Sequence, residues 1–78
     1  MTLEIITPEK KLFSGEVNSV KFPGINGEFE ILNNHAPIIS TLSNGEIRVI
    51  TNDKDTKRFN INGGVIEMQN NKIIVLAD

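Results

Sequence analysis

An all-β fold, arranged as a sandwich or a barrel, is predicted for this chain of 78 residues by three observations. Apolar and polar residues alternate in short segments with a period of two, which is typical of half-buried strands. Turn-forming residues separate these segments at intervals of about 8–12 residues, the spacing seen in all-β domains. No window of about 11 residues has the apolar spacing of an amphipathic helix. The length allows a single domain, spanning residues 1–78.

The alternating segments predict the strands in order along the chain. Strands are predicted at residues 3–7, 16–22, 27–32, 46–51, 58–62, 65–69 and 72–77. Residues 9–15 are predicted to form a connector that is anchored in the core by Leu12 and Phe13. A further apolar cluster lies within residues 38–42, before a Ser-Asn-Gly turn.

The phase of each alternation predicts which side chains face the core. The inward set comprises Leu3, Ile5, Val20, Phe22, Phe29, Ile31, Ile47, Val49, Phe59 and Ile61. Ser19 and Lys21 are predicted to point outward, opposite Val20 and Phe22. Val17 is out of phase with that pair, which predicts a bulge or a change of sheet at this point.

Glycine and asparagine pairs mark places where the backbone needs an unusual conformation. The Gly63-Gly64 pair interrupts a strand pattern, as glycines do at bulges or where another backbone comes close. Asn70-Asn71 separates two strand patterns by two residues that tolerate positive φ, which predicts a tight hairpin. Residues 23–38 contain two turn clusters, the only histidine and two of the three prolines. A loop-rich stretch of this kind usually carries contact function on a rigid frame.

Charge and composition exclude several classes of function. The net charge is −2, from ten acidic and eight basic residues of mixed distribution, which disfavours a nucleic-acid surface or a polybasic membrane contact. The absence of cysteine excludes disulfides, zinc–thiolate sites and thiol nucleophiles. No apolar run approaches the ~18 residues of a membrane-spanning helix, and no charged leader precedes an apolar segment. From the sequence we therefore expect a soluble, cytoplasmic chain.

A catalytic site would have to start at His35, the only imidazole in the chain. Glu28 and Glu30 are close enough in sequence for a histidine–carboxylate pair. A histidine between an asparagine turn and an Ala-Pro pair more often bonds to local backbone, and this is the predicted role. The alternative hypothesis is a free-standing β-sandwich module that binds a small polar ligand at His35 and Glu28.

Two other features resemble binding sites only superficially. Asp53 and Asp55 supply too few oxygen ligands for a calcium loop, and we predict a solvated hairpin turn there. Gly63-Gly64 lacks the downstream lysine and the helix of a phosphate-binding loop. The sequence therefore predicts no catalytic residue, no cofactor and no metal.

Four apolar residues lie out of phase with the inward sets of their strands or in runs that are apolar on both sides: Ile50, Val65, Ile74 and Leu76. Two interpretations remain open. Either the overlap of two sheets buries these residues, or one sheet exposes an apolar patch to a protein partner. A thin core together with surplus apolar residues favours a subunit of an assembly over a free enzyme.

Five motifs occur in order along nearly the whole chain. They are Ile-Ile-Thr-Pro-Glu-Lys-Lys-Leu-Phe-Ser-Gly-Glu-Val at 5–17, Pro-Gly at 23–24 with Gly-Glu at 27–28, His-Ala-Pro at 35–37, Asn-Gly-Gly-Val-Ile-Glu-Met at 62–68 and Asn-Lys-Ile-Ile-Val-Leu-Ala-Asp at 71–78. Together they resemble the epsilon subunit of bacterial and chloroplast rotary ATP synthases. The signature of that family, Gly-Glu-x-Gly-Ile-x-Pro-Gly-His-Ala-Pro-Leu, is similar to residues 27–38.

The resemblance implies a fold and a role. The fold would be a flattened sandwich of about ten short strands. The role would be that of a non-catalytic central-stalk subunit of the proton-translocating ATP synthase. Such a subunit links the gamma subunit to the membrane c-ring and so couples proton flow to ATP synthesis.

The resemblance also implies two sets of contact residues. The c-ring contact would comprise Asn26, Gly27, Glu28 and Phe29. The gamma-subunit contact would comprise His35, Ile38, Ile39, Thr41 and Leu42. The protein would lie at the cytoplasmic face of the bacterial plasma membrane, as a peripheral subunit without direct membrane insertion.

The chain departs from the family pattern in three places. Asn33-Asn34 stands where the family has Pro-Gly, and because asparagine tolerates the left-handed conformation the turn can survive. Glu30 stands where the family has a glycine, which adds a charge beside the ring-contact loop. The sequence ends at Asp78, where the family usually continues into a helical hairpin that restrains ATP hydrolysis, so neither inhibition nor nucleotide sensing is expected of these residues.

Overall fold

A computed structural model describes residues 1–78 and contains eight strands. The strands are β1 (Thr2–Ile6), β2 (Lys11–Gly24), β3 (Gly27–Leu32), β4 (Ile38–Leu42), β5 (Gly45–Thr51), β6 (Thr56–Ile61), β7 (Gly64–Gln69) and β8 (Lys72–Ala77). The predicted all-β fold is confirmed. The resemblance implied about ten strands and the structure has eight. The connector predicted at 9–15 was wrong, because from Lys11 these residues belong to the long strand β2.

The long strand β2 belongs to two layers. Its first half pairs with β1, and its second half pairs with β3 on one side and β5 on the other. Layer A therefore has the order β3-β2-β5-β6, and layer B has the order β2-β1-β8-β7-β4. Only the β1–β8 pairing is parallel. Fourteen extended residues would span about 46 Å, whereas the longest dimension of the molecule is 27 Å, so β2 bends as it passes between the layers.

The bend coincides with a register shift between Val17 and Ser19 in the pairing with β5. This shift confirms the irregularity predicted from the phase of Val17. The outward prediction for Ser19 was wrong, because Ser19 is buried. A bulge sets two residues opposite one on the partner strand, so the strict alternation of sides is lost there. As a result Val17, Ser19 and Val20 are all buried.

The core lies between the two layers. Its sixteen buried apolar residues are Met1, Leu3, Ile5, Val17, Val20, Phe22, Ile31, Leu42, Ile47, Val49, Ile61, Ile66, Met68, Ile73, Val75 and Ala77. Phe29 and Phe59, predicted to face inward, are half-buried and pack against this cluster. Leu12 and Phe13 also pack against it, as predicted for the connector. The rings of Phe13 and Phe59 lie 5.7 Å apart and join the start of β2 to β6.

The Asn70-Asn71 turn and the Gly63-Gly64 pair have the backbone features that the sequence predicted. Asn70 and Asn71 both have positive φ, 52° and 58°, and connect β7 to β8. Gly64 has a φ of 152°, and a Cβ atom at this position would lie 2.4 Å from the Leu76 carbonyl oxygen. The close backbone approach predicted for the glycine pair is therefore confirmed, and it draws β7 tightly against β8.

Candidate functional site

The β2–β3 hairpin forms one end of the sandwich. Gly24 pairs with Gly27, which leaves Ile25 and Asn26 as a two-residue turn. Gly27 has a φ of 119°, a conformation that favours glycine. Ile25 is 60% exposed at the tip, although it is not among the residues predicted for the ring contact. The sequence feature that could have predicted this exposure is an apolar residue between two turn-forming pairs, Pro23-Gly24 and Asn26-Gly27, outside any alternating segment.

Phe29 supports this hairpin from below. Its ring is half-buried and lies 5.5 Å from the ring of Phe22. A Cβ atom on Gly24 would lie 2.7 Å from the Gly27 carbonyl oxygen and 2.8 Å from the Phe29 ring. The hairpin therefore leaves no space for a side chain at that position. Of the four residues predicted for the ring contact, Phe29 is a support and the other three are exposed.

Ion pairs cover the outer surface of layer A beside the hairpin. Lys21 Nζ lies 3.2 Å from a carboxylate oxygen of Glu28. Arg48 Nη2 lies 2.7 Å from a carboxylate oxygen of Glu30. These four side chains, with Phe29, line an open depression of about 420 Å³. The charge of Glu30, which departs from the family pattern, is thus balanced within the chain.

The loop that carries His35 lies at the opposite end of β3. The Asn34 backbone N–H donates a hydrogen bond to Oδ1 of Asn71, at 2.7 Å. The His35 backbone N–H donates to the Leu32 carbonyl oxygen, at 3.2 Å. The imidazole Nδ1 lies 2.7 Å from the Ala36 carbonyl oxygen. The predicted role of this histidine, bonding to local backbone, is confirmed.

The structure does not bring His35 and Glu28 together. Glu28 lies near the start of β3, and β3 carries the chain about 13 Å from Glu28 to Leu32 before the histidine loop begins. The alternative hypothesis of a ligand site centred on these two residues is therefore wrong. Asp53 and Asp55 lie in the exposed turn between β5 and β6, and no group of three or more histidine or acidic residues could hold a metal ion.

The residues predicted for the gamma-subunit contact divide between three environments. His35 is in the exposed loop, whereas Ile39 and Thr41 point outward from β4, and Ile39 is 75% exposed. Ile38 is half-buried. Leu42 is only 3% exposed and belongs to the core. Leu42 therefore supports β4 from inside and cannot itself form a contact surface, because alternation turns it away from the side on which Thr41 lies.

Layer B exposes a continuous apolar surface. In one row across four strands, Thr41 pairs with Val65, Val65 with Leu76, and Leu76 with Ile6. Val65 and Leu76 are 45% and 56% exposed. In the next row, Ile39 of β4 and Ile74 of β8 flank Glu67 of β7. We call this surface the apolar face and define it by Ile6, Ile39, Val65, Ile74 and Leu76.

The exposure of Val65 and Leu76 decides between the two interpretations left open by the sequence. The overlap of the sheets buries neither of them, so layer B does expose an apolar patch. Ile50, on layer A, and Ile74 are half-buried. Ile6 was missed because its position beside Leu76 depends on the parallel β1–β8 pairing, which joins the two ends of the chain.

Glu4 also lies on the outer side of layer B and is held by two lysines. Lys11 Nζ lies 3.0 Å from its carboxylate, and Lys72 Nζ lies 3.9 Å away. The hydrogen bond and charge of Lys11, with a smaller contribution from Lys72, lower the pKa of Glu4 below its ordinary value of 4.5.

These features define a class of protein. The sandwich offers a stiff hairpin tip and an exposed apolar face, and its candidate site residues are distributed over its ends and one side. Such an arrangement is typical of a subunit that acts by contact with neighbours. None of its elements is a helix that could cross a membrane.

Comparison with known proteins identifies the family. The family model of the ATP synthase Delta/Epsilon chain, beta-sandwich domain, matches residues 1–78. The chain is 46% identical over 77 residues to the ATP synthase epsilon chain of Chlorobaculum tepidum, covering 99% of this chain and 88% of that relative. It is 45% identical over 76 residues to the epsilon chain of Chlorobium limicola, covering 97% and 86%. The chain therefore belongs to the delta/epsilon chain family of the ATP synthase.

Solved structures share the fold. A chain in the Euglena gracilis mitochondrial ATP synthase, in its OSCP/F1/c-ring structure, superposes with a TM-score of 0.90 at 17% identity, covering 96% of this chain and 48% of that chain. A chain in the central stalk/c-ring structure of the Tetrahymena thermophila mitochondrial ATP synthase gives 0.84 at 14% identity, covering 99% and 62%. At these identities the two superpositions show a shared fold, and family membership makes the chain an epsilon-type chain of the ATP synthase.

Proposed function

We propose that this chain is a rotor subunit of the proton-translocating ATP synthase that links the gamma subunit to the c-ring and so couples proton flow to ATP synthesis. Family membership supports the assembly, and the apolar face supports the mode of action. The observation that carries the proposal is the exposed Val65–Leu76 pair in the middle of that face. Exposed apolar surface of this kind marks protein contact sites.

The gamma subunit is proposed to cover the apolar face. Ile39 and Thr41 present their side chains from β4 at one side of the face, and Val65 and Leu76 continue it. Ile38 is half-buried beneath this side, and His35 lies in the loop that precedes β4. Docking would remove this apolar surface from water. Each Å² buried contributes about 25 cal/mol of favourable free energy to the complex.

The c-ring is proposed to contact the β2–β3 hairpin. Asn26, Gly27 and Glu28 are exposed there, and Phe29 braces the turn against the core. Ile25 adds an exposed apolar side chain at the tip, so we include it in this contact. The polar and apolar groups of the tip suit a partner surface that is itself a short polar loop.

The fold supports transmission of torque between these two contacts. Strand β2 runs from layer B, which carries the apolar face, into layer A and ends at the hairpin at Gly24. Thr41 accepts a hydrogen bond from the Ile25 backbone N–H at 3.3 Å, and Pro23 accepts one from the Ser43 backbone N–H at 2.7 Å. The hairpin is thus tied directly to the end of β4.

We propose that the subunit lies at the cytoplasmic face of the bacterial plasma membrane, because the c-ring that it is proposed to contact lies in that membrane.

Binding to the purified gamma subunit of the same synthase tests the proposal. We expect Leu76→Ser to weaken this binding at least tenfold, because it removes apolar surface from the middle of the interface. Leu32→Ser is the matched control, because Leu32 is also 56% exposed but lies on layer A. Equal binding of both variants and the unmodified chain, measured by calorimetry, would refute the proposed gamma contact.

Crosslinking tests the ring contact separately. The chain has no cysteine, so Glu28→Cys introduces a single thiol at the hairpin. We expect it to crosslink to a c subunit in the assembled synthase. Asn52→Cys, in the turn after β5, is the control, since β5 ends there at the bulged middle of β2 and not at its hairpin end. Crosslinking of Asn52→Cys in place of Glu28→Cys would contradict the proposed orientation.

A further inference from the structure

Glu67 is the one charged side chain between two isoleucines of the apolar face, the exposed Ile39 and the half-buried Ile74. It lies on β7, directly opposite Ile39 of β4 on one side and Ile74 of β8 on the other. Open depressions of about 330 Å³ and about 220 Å³ lie on either side of it. Its carboxylate therefore stands on a ridge between two shallow pockets.

The charge of Glu67 has no partner within the chain. Five of the seven glutamates form ion pairs with a lysine, an arginine or the terminal ammonium, and only Glu9 and Glu67 do not. Lys72 is the only cation that lines either depression, and its Nζ is directed to Glu4 at 3.9 Å. The neighbouring carboxylate on the same face is thus neutralised, and Glu67 is not.

We propose that Glu67 determines the specificity of the apolar face by pairing with a lysine or arginine that the docked subunit presents between apolar side chains. This inference rests on the proposed docking of the gamma subunit at this face. Covering the face would remove the Glu67 carboxylate from water, and burial of a charge without a partner is strongly unfavourable. A partner surface that carries a cation at this point binds, and a purely apolar surface of the same shape is rejected.

A second copy of this chain is a poorer occupant. Lys72, the cation that lines a depression beside Glu67, is already shared with Glu4, which is also paired with Lys11. Pairing across a two-fold axis would therefore have to break an existing contact in each copy to satisfy Glu67. The charge pattern thus favours a different protein with a free cation.

Affinity for the purified gamma subunit provides the test, with variants that separate charge from shape. We expect Glu67→Gln to weaken binding about tenfold and Glu67→Lys more strongly, since the first removes the ion pair and the second opposes the partner cation. Glu67→Asp should retain most of the affinity because it keeps the charge. Glu9→Gln and Glu9→Lys are the matched controls, since Glu9 is also exposed and unpaired but lies in the turn before β2.

Salt dependence gives a second readout that a structural role would not move. Affinity of the unmodified chain should fall with ionic strength, and the fall should be smaller for Glu67→Gln. Unchanged affinity and salt dependence in Glu67→Gln, with binding lost in Leu76→Ser, would overturn this inference and leave the proposed function intact. Unchanged binding in both variants would refute docking at this face. A homodimer in sedimentation that Leu76→Ser dissociates would show a second copy as the occupant and overturn the inference.

Discussion

The two outer surfaces of the sandwich follow the same strand periodicity but carry opposite kinds of side chain. On layer A, one row across four strands reads Glu30, Lys21, Arg48 and Arg58. On layer B, the corresponding row reads Thr41, Val65, Leu76 and Ile6. The charged row is balanced within the chain, whereas the apolar row is left exposed. The comparison distinguishes a surface suited to water from a surface suited to a partner.

The charged surface shows how such balance is reached. Arg48 and Arg58 lie directly opposite each other on β5 and β6, an arrangement that is unfavourable for like charges. Glu30 pairs with Arg48 at 2.7 Å and Glu46 pairs with Arg58 at 2.8 Å. Each arginine therefore has its own carboxylate. The four side chains of this charged row are thus paired within the chain, unlike Glu67 on the other surface.

The largest expected effect on stability comes from a substitution that disrupts the packing of strands in layer B. Gly64→Ala places a Cβ atom 2.4 Å from the Leu76 carbonyl oxygen, in a backbone conformation that L-residues rarely adopt. We expect a loss of more than ~3 kcal/mol in the free energy of unfolding, a large part of the ~4–12 kcal/mol typical of a chain of this size. Gly27→Ala is the control, because it carries only the strained φ and meets no atom within 4 Å. Equal losses in urea denaturation would show that β7 and β8 are not in close contact.

A smaller effect would sharpen the distinction between the inner and outer sides of layer B. Ile66 and Val65 are neighbours in β7, one fully buried and the other 45% exposed. Ile66→Ala should cost about 2–4 kcal/mol of stability through the cavity it leaves, and Val65→Ala about 0.5 kcal/mol or less. The order reverses for binding of the gamma subunit, where Val65→Ala should be the more harmful change in folded protein. A similar stability loss for the two would contradict the exposed position of Val65.

The charged surface should contribute still less. In a double-mutant cycle of Glu30→Gln and Arg48→Gln, we expect a coupling free energy of about 0.5 kcal/mol, since both groups remain accessible to solvent. Neither variant should change the affinity for the gamma subunit. A loss of affinity in either one would show that layer A also belongs to the docking surface.

The smallest expected effect concerns Glu4 on layer B. Because folding lowers its pKa below 4.5, its contribution to stability is present above that pH and is lost as the pH falls through the folded-state pKa. Glu4→Gln should therefore lower the Tm slightly at neutral pH, and the difference should vanish well below pH 4.5. Glu9→Gln, scanned by calorimetry over the same range, should show no such convergence. A difference in Tm that does not change with pH would argue against the lysine contacts.

Much of the fold could be predicted because its signals are local. Alternation predicted seven of the eight strands, but β4 was expected only as an apolar cluster and the first residues of β2 as a connector. The asparagine and glycine pairs predicted the β7–β8 hairpin and the close approach at Gly64. The phase of Val17 predicted the bulge, but the same bulge made the prediction for Ser19 wrong. A period of two specifies the side of each residue only while the strand stays regular.

The candidate site was predictable in part. Ile39 was found from the family motif and Val65 from its phase, and both are exposed. Leu42 belonged to the same motif, yet the alternation of β4 turns it into the core. Glu28 and His35 were predicted to lie together because they are close in sequence. The extended strand β3 between them holds them apart in space. Ile25 was missed because it lies in a turn between two alternating segments, and Ile6 because its place beside Leu76 depends on the parallel β1–β8 pairing.

By itself, the sequence determined an all-β chain, the positions of its turns and its resemblance to the synthase epsilon subunit. These depend on residues within a few positions of one another. Apart from the β7–β8 hairpin, the tertiary structure alone decided which strands are neighbours, and so placed Ile6 beside Leu76 and Ile39 beside Glu67. Strand periodicity predicts the side of the sheet on which each side chain lies, but not which strand lies next to it. Strand pairing depends on the packing of the whole core. The length of chain between two strands affects it only weakly. The apolar face and its unpaired carboxylate are therefore properties of the folded sandwich.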